Sequence, residues 1–232
     1  MLARSILLAA ASLMWPATVV AQTAGAPLVL EAKIPLGDVS GRIDHLSIDV
    51  KRQRLFVAEL GNNSLGVIDL AAGKVLRRID GLSEPQGVAY VLFTDSVFVA
   101  NAGDGSVRVL RGDDLTPMGR IELGDDADNV RVDAARNRVL VGYGKGALAV
   151  IDPASQTKTA DIHLKAHPEG FQIDETGTQI LSTCRMRVGS RSSTLRQGRR
   201  DHCRRKGRDR IFRCRSMLRN TGSSSYFAAR RP

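Results

Sequence analysis

From His45 onward, apolar residues come in bursts of four to six positions, alternating with polar ones or clustering, and Gly, Asn, Asp or Ser separates the bursts. No window shows the 3.6-residue apolar rhythm of an amphipathic helix, so the pattern predicts short β-strands. In the first such region the strands are expected at Leu46–Ile48, Arg54–Ala58, Leu65–Asp69 and Lys74–Ile79. The turn between the second and third of these reads Gly61-Asn62-Asn63. Its later counterparts are Gly103-Asp104-Gly105 and Gly144-Lys145-Gly146, residue types that accept the positive φ of a tight hairpin.

The pattern repeats. Leu46, Val88, Val130 and Phe171 are separated by 42, 42 and 41 residues, and the series Leu55, Val97, Val139, Ile180 keeps the same steps. A third series, Val67, Val109 and Val150, follows it. Four short strands in every unit of about 40–45 residues is the sequence signature of a propeller blade. The predicted fold is therefore all-β, a partial β-propeller of four-stranded blades, about 3.5 blades in all, with units at 44–82, 86–124, 128–165 and 169–183. Residues 28–36 (LVLEAKIPL) resemble the last strand of a unit and are expected to be a closing strand whose partner blade is missing.

Both ends of the chain differ from the repeats. Arg4 precedes an apolar stretch from Ile6 to Val20, and Val19-Val20-Ala21 supplies small side chains before Gln22, so residues 1–21 read as a cleaved secretory signal. The expected location is periplasmic or secreted, with no membrane span once the signal is removed. The 49 residues from Cys184 to Pro232 hold fifteen Arg, one Lys and two Asp. The net charge of +10 is thus concentrated in this tail, and residues 1–183 are four charges negative. The basic charge therefore gives the repeat body no nucleic-acid footprint, and nucleic acid is not the expected partner. The tail is expected to be disordered and to come from a shifted reading frame, because it breaks the fourth unit in mid-blade. Its three cysteines, Cys184, Cys203 and Cys214, match no zinc spacing, and the body has no cysteine.

The strings LFVAELGNNSLGVIDLAAGKVLRRI and VFVANAGDGSVRVL resemble the YVTN family of periplasmic β-propeller proteins, over roughly residues 28–183. Leu55-Phe56-Val57-Ala58 and Val97-Phe98-Val99-Ala100-Asn101 stand at the first element of that repeat, and Val67-Ile68-Asp69 and Val150-Ile151-Asp152 at the second. The third unit departs with Val141-Gly142-Tyr143, and the second carries Leu110-Arg111 where the Asp is expected. The resemblance implies a seven-bladed ring when complete. It also implies a superfamily that contains binding scaffolds, lactonases and quinoprotein amine dehydrogenase-like enzymes.

Propeller sites gather where the innermost strands begin. Two residues before each anchor lie Asp44, Gln86, Asp128 and Glu169, and one residue before lie His45, Gly87, Asn129 and Gly170. The repeat is expected to ring these around one opening. Asp44, Asp128 and Glu169 would be the ligands if a hard cation such as Ca²⁺ binds, and Asp44, His45, Gln86, Asp128, Asn129 and Glu169 would contact a polar ligand. His45 has the chemistry of a general base, with Asp44 or Glu169 assisting. His167, beside Pro168, is read as a loop residue, and Asp49, Asp69, Asp133, Asp152 and Asp174 as acceptors for turn backbone. The body contains no nucleophile motif, phosphate loop or haem-attachment sequence. The sequence thus favours a non-catalytic exported module that binds a small molecule, protein or polymer at one face. The alternative is a metal-assisted lactonase-like or quinoprotein-like enzyme.

Overall fold

A computed structural model describes Leu28 and residues 30–175, 177–185, 203–205 and 211–217. Leu28 and residues 30–33 belong to a first compact unit and carry no regular structure. The second unit runs from Ile34 and holds four antiparallel sheets of four strands each. The first contains β1 (Leu46–Asp49), β2 (Arg54–Glu59), β3 (Ser64–Asp69) and β4 (Lys74–Ile79). The second contains β5 (Pro85–Val91), β6 (Ser96–Asn101), β7 (Ser106–Arg111) and β8 (Pro117–Glu122). The third contains β9 (Ala127–Asp133), β10 (Arg138–Tyr143), β11 (Ala147–Asp152) and β12 (Thr157–His163). In these three sheets the strands lie in chain order.

The fourth sheet is built differently. It contains β13 (His167–Ile173), β14 (Gln179–Arg185), β15 (Cys203–Arg205) and β16 (Ile211–Met217), in the spatial order β13-β14-β16-β15. The blade therefore does not stop after its second strand. Two stretches of the basic tail supply its third and fourth places, with Gln179 opposite Met217 and Arg185 opposite Ile211. Backbone pairing needs no particular side chain, and the open edge of β14 presents a row of N–H and C=O groups that any extended segment can meet. The rest of the tail and residues 1–21, expected to be a signal, lie outside the described residues. Of residues 28–36, expected to be a closing strand, Leu28 and residues 30–36 are described and carry no strand.

Why these residues form blades is visible in the turns. Gln53, Asp95 and Asn137 stand at equivalent places before the second strand and adopt φ of 52°, 44° and 49°. The left-handed conformation is thus a property of the repeat position, met by three different residue types. At the second-to-third strand turn Asn63, Gly105 and Gly146 have positive φ, as the sequence predicted.

The second and third blades use both of their faces. Phe56, Ala58, Leu65 and Val67 of the first blade pack with Val88, Val97, Val99 and Leu110 of the second. Phe98, Ala100, Val107 and Val109 of the second pack with Val130, Val139 and Val141 of the third. Leu140 and Leu148 of the third pack with Phe171 and Ile180 of the fourth. The core is thus a stack of dry seams between sheets. Burying each large aliphatic side chain there contributes about 1.5–3 kcal/mol. Strands β1, β5, β9 and β13 follow one another as neighbours, so they are the inner strands.

Candidate functional site

The inner strands β5, β9 and β13 begin with a β-bulge at the same repeat position, and Asp44 and His45 just before β1 both bond Ala58. Pro85 pairs with Asn101 and Val88 with Val99, so Gln86 and Gly87 stand opposite Ala100 alone. Ala127 pairs with Tyr143 and Val130 with Val141, placing Asp128 and Asn129 opposite Gly142. Glu169 is the extra residue between Pro168 and Gly170. In the first blade the Asp44 amide donates to the Ala58 carbonyl at 2.9 Å, and the Ala58 amide donates to the His45 carbonyl at 3.0 Å. A bulge turns side chains away from strict alternation, and bulges are common beside sites. In blades two to four the residues chosen from the sequence are therefore the bulge residues.

This geometry brings His45 and Asn129 together across 84 residues of chain. The Asn129 Nδ2 donates to His45 Nε2 at 2.8 Å and reaches the Glu169 carbonyl at 3.4 Å. Gly87 makes this crossing possible. A Cβ on it would land on the Asp128 carbonyl oxygen and crowd the Val130 side chain, so blade two contributes no side chain between blades one and three. It contributes backbone instead: the His45 amide donates to the Gln86 carbonyl at 3.2 Å. With Nε2 accepting, the tautomer so selected carries its proton on Nδ1. Asp44 Oδ1 lies 3.0 Å from that nitrogen but out of line for a hydrogen bond. Arg42 engages the other oxygen of Asp44 at 3.0 Å.

His167 is not a loop residue; it opens β13. Its Nδ1 bonds the Gly144 carbonyl at 2.6 Å, Nε2 stands 3.6 Å from Asp128 Oδ2, and Asp126 lies 3.5 Å from Nδ1. The nearby Asp128 carboxylate is the main reason its pKa rises to about 9, against the opposing effect of burial. Nothing local in the sequence marks this residue, because its partners Gly144, Asp128 and Asp126 lie 23 to 41 positions upstream.

The three carboxylates expected to share a cation are held apart. Asp44 is taken up by Arg42 and His45, Asp128 faces His167, and Glu169 is exposed and enters through its main-chain carbonyl. Among the described residues no three His, Cys, Asp or Glu side chains gather to hold a metal ion. The Asp residues assigned to turns fare better. Asp49, Asp69, Asp152 and Asp174 accept from the backbone amides of Arg52, Ala72, Ala154 and Gln179. Asp133 bonds Arg138 at 2.8 Å instead.

Two acceptors at the mouth have no hydrogen-bond partner among the described residues. Asn129, 2% exposed, leaves its Oδ1 unbonded, and Asp128, 8% exposed, leaves its Oδ1 unbonded. Such groups are costly to bury alone.

Fold and site together define an all-β chain of propeller-like architecture with a polar mouth. No protein-family model and no curated protein matches it. Among solved structures, a hydrazine synthase from Kuenenia stuttgartiensis is similar at a TM-score of 0.60 and 20% identity, over 70% of this chain and 47% of that one. This chain thus spans about half the length of that structure. At such identity the likeness carries the fold alone. Among the described residues no helix is long and apolar enough to cross a membrane.

Proposed function

We propose that this chain is an exported, non-catalytic module of YVTN-like propeller repeats that binds a ligand rich in hydrogen-bond donors at the mouth of its inner strands. The ligand is a small molecule, or a donor group carried by a protein or polymer. One observation carries the reading: the bulges present Asn129 Oδ1 and Asp128 Oδ1 as buried acceptors without partners, beside the half-buried His45. Acceptors left open select a ligand that brings amines or hydroxyls, and truncating either leaves the donor unmatched. Export rests on the Arg4 to Gln22 pattern.

The test is a thermal-shift series on the full chain with monosaccharides, amino acids and primary amines at millimolar concentration. One donor class should raise the melting temperature, lose that effect in Asn129→Ala, and keep it in Asp69→Ala at the far end of the blade. A shift that survives Asn129→Ala, or no shift with any member, sinks the reading. Export is tested separately: the periplasmic product should begin at Gln22.

A further inference from the structure

Inner strand β9 carries an arginine at a position where the other blades do without a charge. Arg131 stands at the repeat place held by Ser47 in the first blade, Ala89 in the second and Gln172 in the fourth. Ser47 Oγ accepts the Tyr90 amide at 2.9 Å, and Ala89 is buried in the core shared by blades two and three. Arg131 is half-buried, and its hydrogen bond goes to the carbonyl of its own neighbour Val130 at 2.8 Å. Its guanidinium lies over the Phe171 ring, 5.9 Å from the centroid. No carboxylate among the described residues comes within ion-pairing distance of it. Arg52, Arg78 and Arg138 are half-buried too, and each meets a carboxylate at 2.8 Å. A charge withdrawn from water is costly unless it is paired. Burial pushes the Arg131 guanidinium below its ordinary range, against the opposing charge of Asp128.

Arg131, Phe171, Ser182 and Thr183 line a cleft of about 270 Å³ where β9 meets β13 and β14. The Ser182 and Thr183 hydroxyls donate to the Gly170 carbonyl at 3.3 and 3.1 Å. The remaining N–H groups of Arg131 are therefore the charged donors of the cleft. We infer that this cleft binds a small organic carboxylate, with the Arg131 guanidinium as its counter-ion. One edge of a guanidinium offers two parallel N–H bonds, which match the two oxygens of a carboxylate. The Phe171 ring attracts the cation and restrains its plane. The volume falls just below the range of about 300–1,000 Å³ that drug-sized ligands occupy, so the carboxylate belongs to a molecule of few atoms. No second cationic side chain lines the cleft, and a single guanidinium balances one negative charge better than the two of a phosphate. The site is distinct from the donor-binding mouth, because His45, Asp128 and Asn129 do not line it. The two readings can thus fail separately.

Calorimetric titration of the full chain with sodium acetate, propionate and butyrate at constant ionic strength tests this, with inorganic phosphate as the comparison anion. At least one carboxylate should bind saturably, and at least tenfold more tightly than phosphate. Arg131→Ala should weaken that binding at least tenfold and keep the far-UV spectrum, since alanine already holds the same place in the second blade. Arg131→Lys keeps the charge and loses the fork, so it should weaken binding as well. Asn129→Ala should bind the carboxylate as the wild type does. The absence of saturable binding overturns the inference, as does equal affinity for phosphate or full affinity in either Arg131 variant. Binding that is lost in Asn129→Ala and kept in Arg131→Ala moves the carboxylate to the mouth, and overturns it too.

Discussion

The two ends of the blades are made from similar residues and settle them in opposite ways. At the end away from the mouth, Arg52 bonds Asp49 at 2.8 Å and Asp95 at 2.6 and 2.8 Å, and the Tyr90 hydroxyl donates to Asp95 at 2.8 Å. This network ties the first blade to the second and holds the Asp95 carboxyl below its ordinary range, with the Arg52 hydrogen bond as the largest cause. Arg54 reaches the carbonyls of Gly112 and Asp113, and Arg138 meets Asp133. At the mouth, by contrast, lie all four buried side-chain atoms that lack a hydrogen-bond partner among the described residues: His45 Nδ1, Asn101 Oδ1, Asp128 Oδ1 and Asn129 Oδ1. Polar groups at one end spend their bonds on the fold. At the mouth end the buried Glu59 is likewise held, by Ser64 and Arg78, and it is only these four atoms that are left unbonded.

The contrast breaks most visibly at Arg52. Its removal leaves Asp49, which is completely buried, without its counter-charge, and breaking such a pair costs about 3–5 kcal/mol. Urea unfolding of Arg52→Ala should show a loss of that size, and a loss below about 1 kcal/mol would mean that the far end is no better secured than the mouth. Gly87→Ala comes next. The added methyl meets the Asp128 carbonyl oxygen, and overpacking of this kind costs about 1–3 kcal/mol. The same change should move the His45 imidazole signals in NMR spectra, because it pushes blades one and three apart.

A pH titration probes the mouth alone. The folded pKa of His167 is raised to about 9, above the ordinary value of about 6.5 in the unfolded chain. Its contribution is therefore fully present below pH ~6.5 and is lost as pH rises through about 9. Unfolding free energy should fall by up to about 3 kcal/mol across that window, and Asp128→Asn should flatten the profile. A profile that stays sloped in that variant assigns the dependence elsewhere. Smaller still is Asn129→Ala. It removes an unsatisfied acceptor along with two donors, so stability should change by less than about 1 kcal/mol in the same urea experiment. The smallest expected effect is that of calcium. With Asp44, Asp128 and Glu169 engaged separately, calcium or a chelator should leave the melting temperature unchanged, and a calcium-dependent rise would restore the metal reading.

Much of the site was legible because it sits at a fixed offset from a repeating anchor. The positions before Leu46, Val88, Val130 and Phe171 were singled out by counting, and those before the last three proved to be bulges. Counting carries no information about what the side chains meet. Asp44, Asp128 and Glu169 share an offset, yet Arg42 and His167 claim the first two, and Glu169 offers its carbonyl. His167 was missed for the same reason: its surroundings come from Gly144, Asp126 and Asp128 on the neighbouring blade.

The sequence by itself determined the all-β class, the period, the strands of the first three blades and their left-handed turns. These depend on local alternation and on φ restrictions that act within a few residues. Only the tertiary structure decided that His45 reaches Asn129 past Gly87, and that tail backbone completes the fourth sheet. It also decided which side chains are buried, because blades pack through surfaces tens of residues apart and burial depends on what comes to rest against them.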